Sequence, residues 1–427
     1  LDIGVKTMAE KKIKVGVFGA ARGETMVSIL SRHPDAELTA ICDRAKPMLE
    51  RCKNTAEKFG AKITTYENFE QFFQHDMDAV VLANYATEHA EYAIKFLDSG
   101  RHVVSELLSC QTLAEGVALV EAVERSGKVY SYAENCCYLR STLEMRKIYR
   151  RGDLGEFLHG EGEYVHDCES IWPYITYGER NHWRNWMHST FYCTHAIGPI
   201  VTITGTRPVR LTAYETLNYN KRRYGSLGAD GSVIVCQMSN DATAVFLPAN
   251  LFKRQPESIW FAIYGSKGMA ETDRWGECSN IINVFIEGSE LSETEIRYRP
   301  RFPEETELSR KISGHGGADF YTMHYFLKAI QDAPGKENII DVYQAIDMTL
   351  PGILGYKSIW EGNKPIDVPD FRIKEVRDRF RNDNWSVDPK FAGPGQPDRS
   401  YSREKIEVPD SVYEEQAAKW REYLQNS

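Results

Sequence analysis

The feature that most constrains this chain is an alternation near its start. Residues 13–18, 38–42, 78–83 and 102–104 are short apolar runs, and helical patterns fill the gaps at 24–33, 48–59, 89–99 and 112–126. Strands separated by whole helices cannot pair through tight hairpins. They need crossover connections, which means βαβ units and a parallel sheet with helices on both faces. This organisation ends near Asn135.

The pattern then changes. Residues 141–151 read as a helix that stops at Gly152. After it come strand-like stretches at 157–165, 209–217, 233–238, 243–247, 259–264, 281–285 and 295–298, with turn chemistry at Ser239 to Asp241 and Gly265 to Gly268. Consecutive strands joined by such turns predict a largely antiparallel sheet. Helices follow at 319–331 and 342–361. Beyond Pro365 the chain is polar and proline-rich, which predicts a surface-wrapping tail ending in a short helix near 412–424. The expected fold is an α/β doubly wound N-terminal domain (8–137), an α+β C-terminal domain with an open sheet (138–370) and a C-terminal extension (371–427).

Composition narrows the function. The formal charge of −9 gives no electrostatic footprint for nucleic acid. No apolar run is long enough to span a bilayer, and the polar start has no signal-peptide core. Nine cysteines in a chain of 427 residues, with Cys136 and Cys137 adjacent, do not look like a secreted disulfide framework. No Cys/His set has zinc-site spacing. These readings predict a cytoplasmic protein with no membrane partner, no nucleic-acid partner and no structural metal.

The turn after the first strand carries Gly19, Ala21, Arg22 and Gly23. Glycines there let backbone N–H groups approach a pyrophosphate, whose charge the helix N-terminus favours. The G-x-G-x-x-G fingerprint is degraded, because Ala21 stands where a second glycine belongs; a plain strand–helix turn would read the same. Asp43, 24 positions after Gly19, strengthens the dinucleotide reading. A carboxylate at the end of the second strand accepts both ribose hydroxyls of NAD and repels the extra phosphate of NADP. Arg44 beside it can meet that phosphate or lie over adenine.

From residue 78 onward the motifs become specific. The run from Asp78 to Ala83, then His89, the segment Ser99 to Val104, Glu106, and Glu134 with Asn135 resemble the Gfo/Idh/MocA family of two-domain sugar and cyclitol oxidoreductases. In that family a Glu-Lys-Pro motif supplies a catalytic lysine; this chain has Glu106-Leu107-Leu108. The segments 134–138, 152–156, 163–167, 183–184, 192–199 and 315–320 are similar to a narrower branch, the NAD-dependent α-N-acetylgalactosaminidases, which also lacks the lysine. The resemblance runs from about residue 13 to 371. It implies NAD as cofactor, a homo-oligomer (dimer or tetramer) formed through the open sheet, and an active site between the domains. It adds Ala83, Asn84, His89, Glu106, Asn135 and Arg184 to the cofactor-binding candidates, with Glu106 near both nicotinamide and substrate.

The chemistry-bearing residues lie in the second domain. Tyr192 and His195 are three apart at a helix start, and a histidine suits removal of a hydroxyl proton. No acidic residue precedes His195 at the position where the wider family often has one; Phe191 stands there. Tyr164 and His166 share a strand face, where a phenol can take a proton beside a carbonyl or simply pack. His315 can bond substrate hydroxyls or cap its turn, and Asp319 reads as a first-turn carboxylate settled by the helix dipole. Trp172, Trp183 and Trp186 can stack on a sugar or fill a core; Trp183 is the substrate-binding candidate. Arg180 and Arg184 can hold a cofactor phosphate or an acidic substrate.

The expected reaction is hydride transfer from a sugar-ring carbon, C3, with His195, Tyr192 and Tyr164 as catalytic candidates and His166, Trp183, His315 and Glu106 at the substrate. Two enzymes share that first step: a dehydrogenase that releases the keto sugar, and a glycosidase that uses the ketone to eliminate the C1 substituent. A sugar sensor on the same fold is the third possibility.

Overall fold

A computed structural model describes residues 11–275, 280–289, 296–312 and 314–426. The boundary at residue 8, the polar start before Lys11, and Glu295 at the head of the last expected strand lie outside the described residues.

The N-terminal strands are β1 (Ile13–Phe18), β2 (Ala36–Cys42), β3 (Thr64–Tyr66), β4 (Ala79–Leu82), β5 (His102–Ser105) and β6 (Tyr130–Tyr132). They form one parallel sheet in the order β3-β2-β1-β4-β5-β6. The chain winds outward from β1 to β3, then crosses back to β4. That reversal opens a crevice beyond the carboxyl ends of β1 and β4, the usual ligand position in such sheets. Central strands such as β4 are buried at every position, as a sheet covered on both faces requires.

The second sheet has β7 (Phe157–Val165), β8 (Pro208–Glu215), β9 (Ser232–Met238), β10 (Thr243–Ala249), β11 (Ser258–Gly265), β12 (Gly268–Thr272), β13 (Ile282–Ile286), β14 (Ile296–Tyr298) and β15 (Ile366–Asp367), ordered β14-β13-β12-β11-β7-β10-β9-β8-β15. It is antiparallel except where β10 runs parallel to β7. Antiparallel turns alone would not produce that pair; β7 is reached by β10 only after the long excursion through residues 166–207.

Helix Thr194–Thr204 lies on the inner face of β7. Gly162 makes the approach possible: a Cβ there would sit 2.0 Å from the Ala196 carbonyl oxygen. The opposite face carries Tyr214, Val235, Tyr264 and Phe285 at 54%, 37%, 37% and 42% exposure, an apolar row on an uncovered sheet. Helices Ala318–Ile330 and Val342–Trp360 return to the N-terminal domain, packing on helices Ala20–Leu30 and Leu113–Ser126. Hydrogen bonds such as Tyr132 N–H to Ile340 O (2.9 Å) and Ser109 Oγ to Thr349 Oγ1 (2.8 Å) tie the two domains, whose cores are continuous. The tail ends not in a short helix but in the 17-residue Asp410–Asn426.

Candidate active site

The crevice begins at Gly19, whose φ of 102° suits only glycine and whose Cβ, if present, would lie 2.3 Å from the Ala83 carbonyl. The loops after β1 and β4 therefore touch. Helix Ala20–Leu30 starts there with Gly19 as its N-cap, which has no side chain to cap it; the Ala20 N–H is taken by Asp43, and the N–H groups after it in the first turn are the ones suited to a ligand. Asp43 closes β2; its carboxylate accepts from Ala20 N–H (2.7 Å) and Ala45 N–H (2.8 Å), which holds it at the crevice edge. Beside it lies a 310 Å³ cavity lined by Gly19, Ala21, Asp43, Arg44, Ala83 and Asn84, among others. A glycine cradle, a helix N-terminus, a carboxylate and a cavity fit NAD, whose pyrophosphate, ribose and adenine need those partners in turn.

Deeper in, four side chains from three segments meet. His195, 5% exposed, opens helix Thr194–Thr204 and presents Nδ1 to Glu134 Oε1 at 2.6 Å. Glu134 is fully buried, and the same oxygen accepts from Cys136 N–H at 3.1 Å. The Tyr164 ring lies 4.3 Å from the His195 ring and the Tyr192 ring 5.1 Å from it, centroid to centroid. Burial pushes both phenols up, Tyr164 well above its ordinary value, while the Arg184 guanidinium counteracts the rise in each. Arg184 sits over Trp183 (4.4 Å) and Tyr192 (5.2 Å).

Behind the phenol, His166 Nδ1 lies 3.3 Å from Tyr164 Oη and Nε2 lies 2.7 Å from Glu257. Burial opposes the His166 charge, but contacts with Cys168 and Glu257 outweigh it and push the imidazole up to about 10. On the Rossmann side, Arg22 Nη2 is 2.8 Å from Glu106 and grips Asp319 through two bonds of 2.7 and 3.2 Å. His315 Nδ1 meets the other face of Asp319 at 2.7 Å. Burial raises the Glu106 carboxyl, opposed by Arg22. Burial would raise Asp319 too, but the His315 bond and the Arg22 charge hold it well below the carboxylate range.

Tyr164, Tyr192, His195, His166 and Trp183 thus lie together, with Arg184 bridging. Glu106, Arg22 and His315 form a neighbouring ion cluster. Several expectations need revision. His89 is 1% exposed, with its ring nitrogens 3.1 and 3.2 Å from the carbonyls of Leu108 and Asn84; burial lowers it to about 4. It joins the loops after β4 and β5 through these two carbonyls. Asp319 is settled by Arg22 and His315 rather than by the helix dipole. Trp172 is 1% exposed and bonded to Asn185, so it is packing. Arg180 pairs with Asp410 of the tail (2.6 Å). Asn135 is buried behind Glu134 in the short helix Asn135–Tyr138. Leu107, where the resemblance has lysine, is 5% exposed, so no amine reaches the crevice from there.

The largest omission was Glu134. It was legible in principle, since an ionisable residue inside the buried run from Tyr130 to Tyr138 must find a charged or hydrogen-bonding partner. Glu134, Cys136 and His195 also offer ligand atoms within 4.8 Å of one another, the one such trio among the described residues. The 2.6 Å contact within it is that of a charge-assisted hydrogen bond. Tyr85, Tyr177, Glu179 and Trp420, which also line the cavity, had no local signal.

Residues 13–134 match the oxidoreductase family with an NAD-binding Rossmann fold, and residues 138–376 match the glycosyl hydrolase 109 C-terminal domain. The chain belongs to glycosyl hydrolase family 109. Its first domain makes it an NAD-binding oxidoreductase of the Gfo/Idh/MocA type. A glycosyl hydrolase family 109 protein of Bacteroides thetaiotaomicron is 25% identical over 404 residues, covering 84% of each chain. One of Streptomyces coelicolor is 26% identical over 416 residues, covering 88% of this chain and 87% of that one. Among solved structures, scyllo-inositol dehydrogenase from Lactobacillus casei, with NAD(H) and scyllo-inositol, aligns with a TM-score of 0.65 at 18% identity, over 84% of this family 109 chain and 99% of its own. An inositol dehydrogenase homolog from Azotobacter vinelandii aligns with a TM-score of 0.67 at 16% identity, over 84% and 98%. At those identities the shared property is the fold.

Proposed function

We propose that this family 109 protein oxidises a ring hydroxyl of a glycoside, at C3, and uses the resulting ketone to release the C1 substituent. The observation that carries the reading is the Glu134–His195–Tyr164 arrangement: an imidazole held by a buried carboxylate, with a phenol against its ring. Gly19, Arg22, Gly23 and Asp43 would hold NAD, which when bound would supply the hydride acceptor and the hydride for the final reduction. The chain's own groups move the protons. With Nδ1 donating to Glu134, His195 keeps Nε2 free to take the hydroxyl proton. Tyr192 hydrogen-bonds the same oxygen. The ketone acidifies the neighbouring C2–H, and Tyr164 removes that proton. Elimination then breaks the C1–O bond, and the leaving alcohol carries a proton away. Water adds across the new double bond at C1 and C2. Arg184 favours the phenolate the base step needs, against the burial that opposes it. Arg22, Glu106 and Asp319 fix the Rossmann wall of the site, and His166, Trp183 and His315 flank the sugar.

A dehydrogenase that stops at the ketone is the competing outcome, and the inositol dehydrogenase folds keep it open. Purified protein incubated with a panel of aryl glycosides separates the two when the NADH band and free aglycone are followed together. Aglycone without net NADH supports the glycosidase; NADH without aglycone overturns it. Tyr164→Phe keeps the ring and removes the hydroxyl. In a glycosidase it blocks aglycone release while a single turnover of bound NAD to NADH survives. Unchanged release removes Tyr164 from the mechanism.

We further infer that a second copy covers the exposed apolar row of Tyr214, Val235, Tyr264 and Phe285. The eight cysteines among the described residues are all buried and none is in a disulfide, which fits the cytoplasm. No helix among the described residues is long and apolar enough to cross a membrane.

A further inference from the structure

The wall of the adenosine cavity is not all Rossmann domain. Tyr177 and Glu179 come from the loop after helix Trp172–Ile175, and Trp420 comes from the C-terminal helix Asp410–Asn426. All three line the same 310 Å³ space as Gly19, Asp43 and Arg44. The helix is held over the crevice at several points. Asp410 pairs with Arg180 at 2.6 Å, whose guanidinium also lies 4.7 Å over the Tyr413 ring. Tyr413 Oη donates to Gly225 O at 2.9 Å, and Gln416 is 3% exposed. Tyr423 packs on Tyr174 (4.9 Å) and accepts from Arg51 of the Rossmann domain. One helix therefore bridges both domains across the cavity mouth.

The aromatic groups at that mouth are pre-set. The Trp420 ring lies 5.4 Å from Tyr177, and Tyr177 stacks toward Tyr85 at 6.1 Å. Tyr177 has a φ of 52°, a left-handed conformation that costs a bulky residue and persists only where its surroundings impose it. Glu179 holds Arg44 at 2.7 Å and accepts from Tyr85 at 2.8 Å. A ring of aromatic faces with a fixed guanidinium encloses a planar base.

We propose that the C-terminal helix is part of the cofactor site, with Trp420 a binding residue for the adenosine half of NAD, and that the hold of this helix on the cavity mouth slows the departure of NAD. This concerns NAD alone and stands apart from the sugar chemistry.

The test is cofactor release from the full-length protein. Protein loaded with NADH is chased with excess NAD, and the loss of bound NADH fluorescence gives the dissociation rate. Trp420→Ala is expected to speed release about tenfold, the scale of one lost base–aromatic contact. Asp410→Ala loosens the helix without touching the cavity and is expected to speed release as well. Trp420→Phe, which keeps a ring, should fall between the wild type and Trp420→Ala, and serves if the alanine variant does not fold. Release unchanged in both Trp420→Ala and Asp410→Ala overturns the proposal. The glycoside panel still decides the reaction in either case.

Discussion

The two ends of the crevice are built on opposite plans. At the inner end, beside His195, charged groups are paired and mostly shielded: Glu134 with His195 is buried, Arg22 with Glu106 and Asp319 is largely so, and Glu257 with His166 pairs at partial exposure. At the adenosine end, the groups surround a cavity, and the charged pair Arg44 and Glu179 sits half-exposed at its rim. Side chains that must move protons need fixed partners, because a buried charge without one is costly and its ionisation unpredictable. A base and ribose need shape and a few directed acceptors, so there the structure supplies aromatic faces and one carboxylate. On the proposed function, reactivity is prepared at one end and affinity at the other.

That division can be broken by mutation. The largest effect is expected from His195→Ala, with a fall in glycoside oxidation of about 100- to 10,000-fold, as for loss of a general base. NAD affinity should be nearly unchanged. A parallel loss of NAD binding, read by fluorescence titration, would show that the ends are not separable. Glu134→Gln preserves shape and removes the charge that holds the His195 tautomer. We expect kcat to fall by up to about 10,000-fold, the scale when a carboxylate that fixes the tautomer of a catalytic imidazole becomes an amide, with KM and NAD affinity close to wild type. A variant with full kcat would leave Glu134 a structural residue.

At the other end, Asp43→Asn should weaken NAD about tenfold and narrow its advantage over NADP, since one charge-assisted bond is worth that much. Dissociation constants for both cofactors read the outcome. NADP binding as tight as NAD in the wild type would mean that Arg44 meets a phosphate despite Glu179.

The smallest effect concerns the histidine that joins the two loops. His89 is lowered to about 4, His33 to about 4 and His188 to about 3, all mainly by burial, against about 6.5 in an unfolded chain. Between those values the unfolded state binds more protons, so stability is full above about pH 6.5 and is lost as pH falls toward 4. His89→Gln should flatten the decline of melting temperature over that window. Parallel curves for variant and wild type would show that His89 does not titrate with unfolding.

Much of this was readable in one dimension. Period and composition predict the parallel sheet, because a strand buried on both faces must be apolar throughout and its crossover must be helical. Gly19 and Asp43 could be placed because turn geometry and strand ends are local. Tyr192, His195 and Tyr164 were named from a motif. The partner of His195 was not, although Glu134 is 61 positions away in a segment already singled out. The setting of His89 between two loop carbonyls was not legible, because a histidine in a motif looks the same whether it faces a ligand or joins two loops.

The amino-acid sequence by itself determined the Rossmann domain and a carboxylate at the end of its second strand, since each follows from local conformation or residue chemistry. Tertiary structure alone decided who faces whom. It brought Glu134 under His195 and Arg22 onto Asp319. It turned β10 parallel to β7 and laid Trp420, almost 380 residues beyond Asp43, across the cavity that Asp43 borders. These pairings rest on packing between distant segments, where burial and charge compensation act only after the chain has folded.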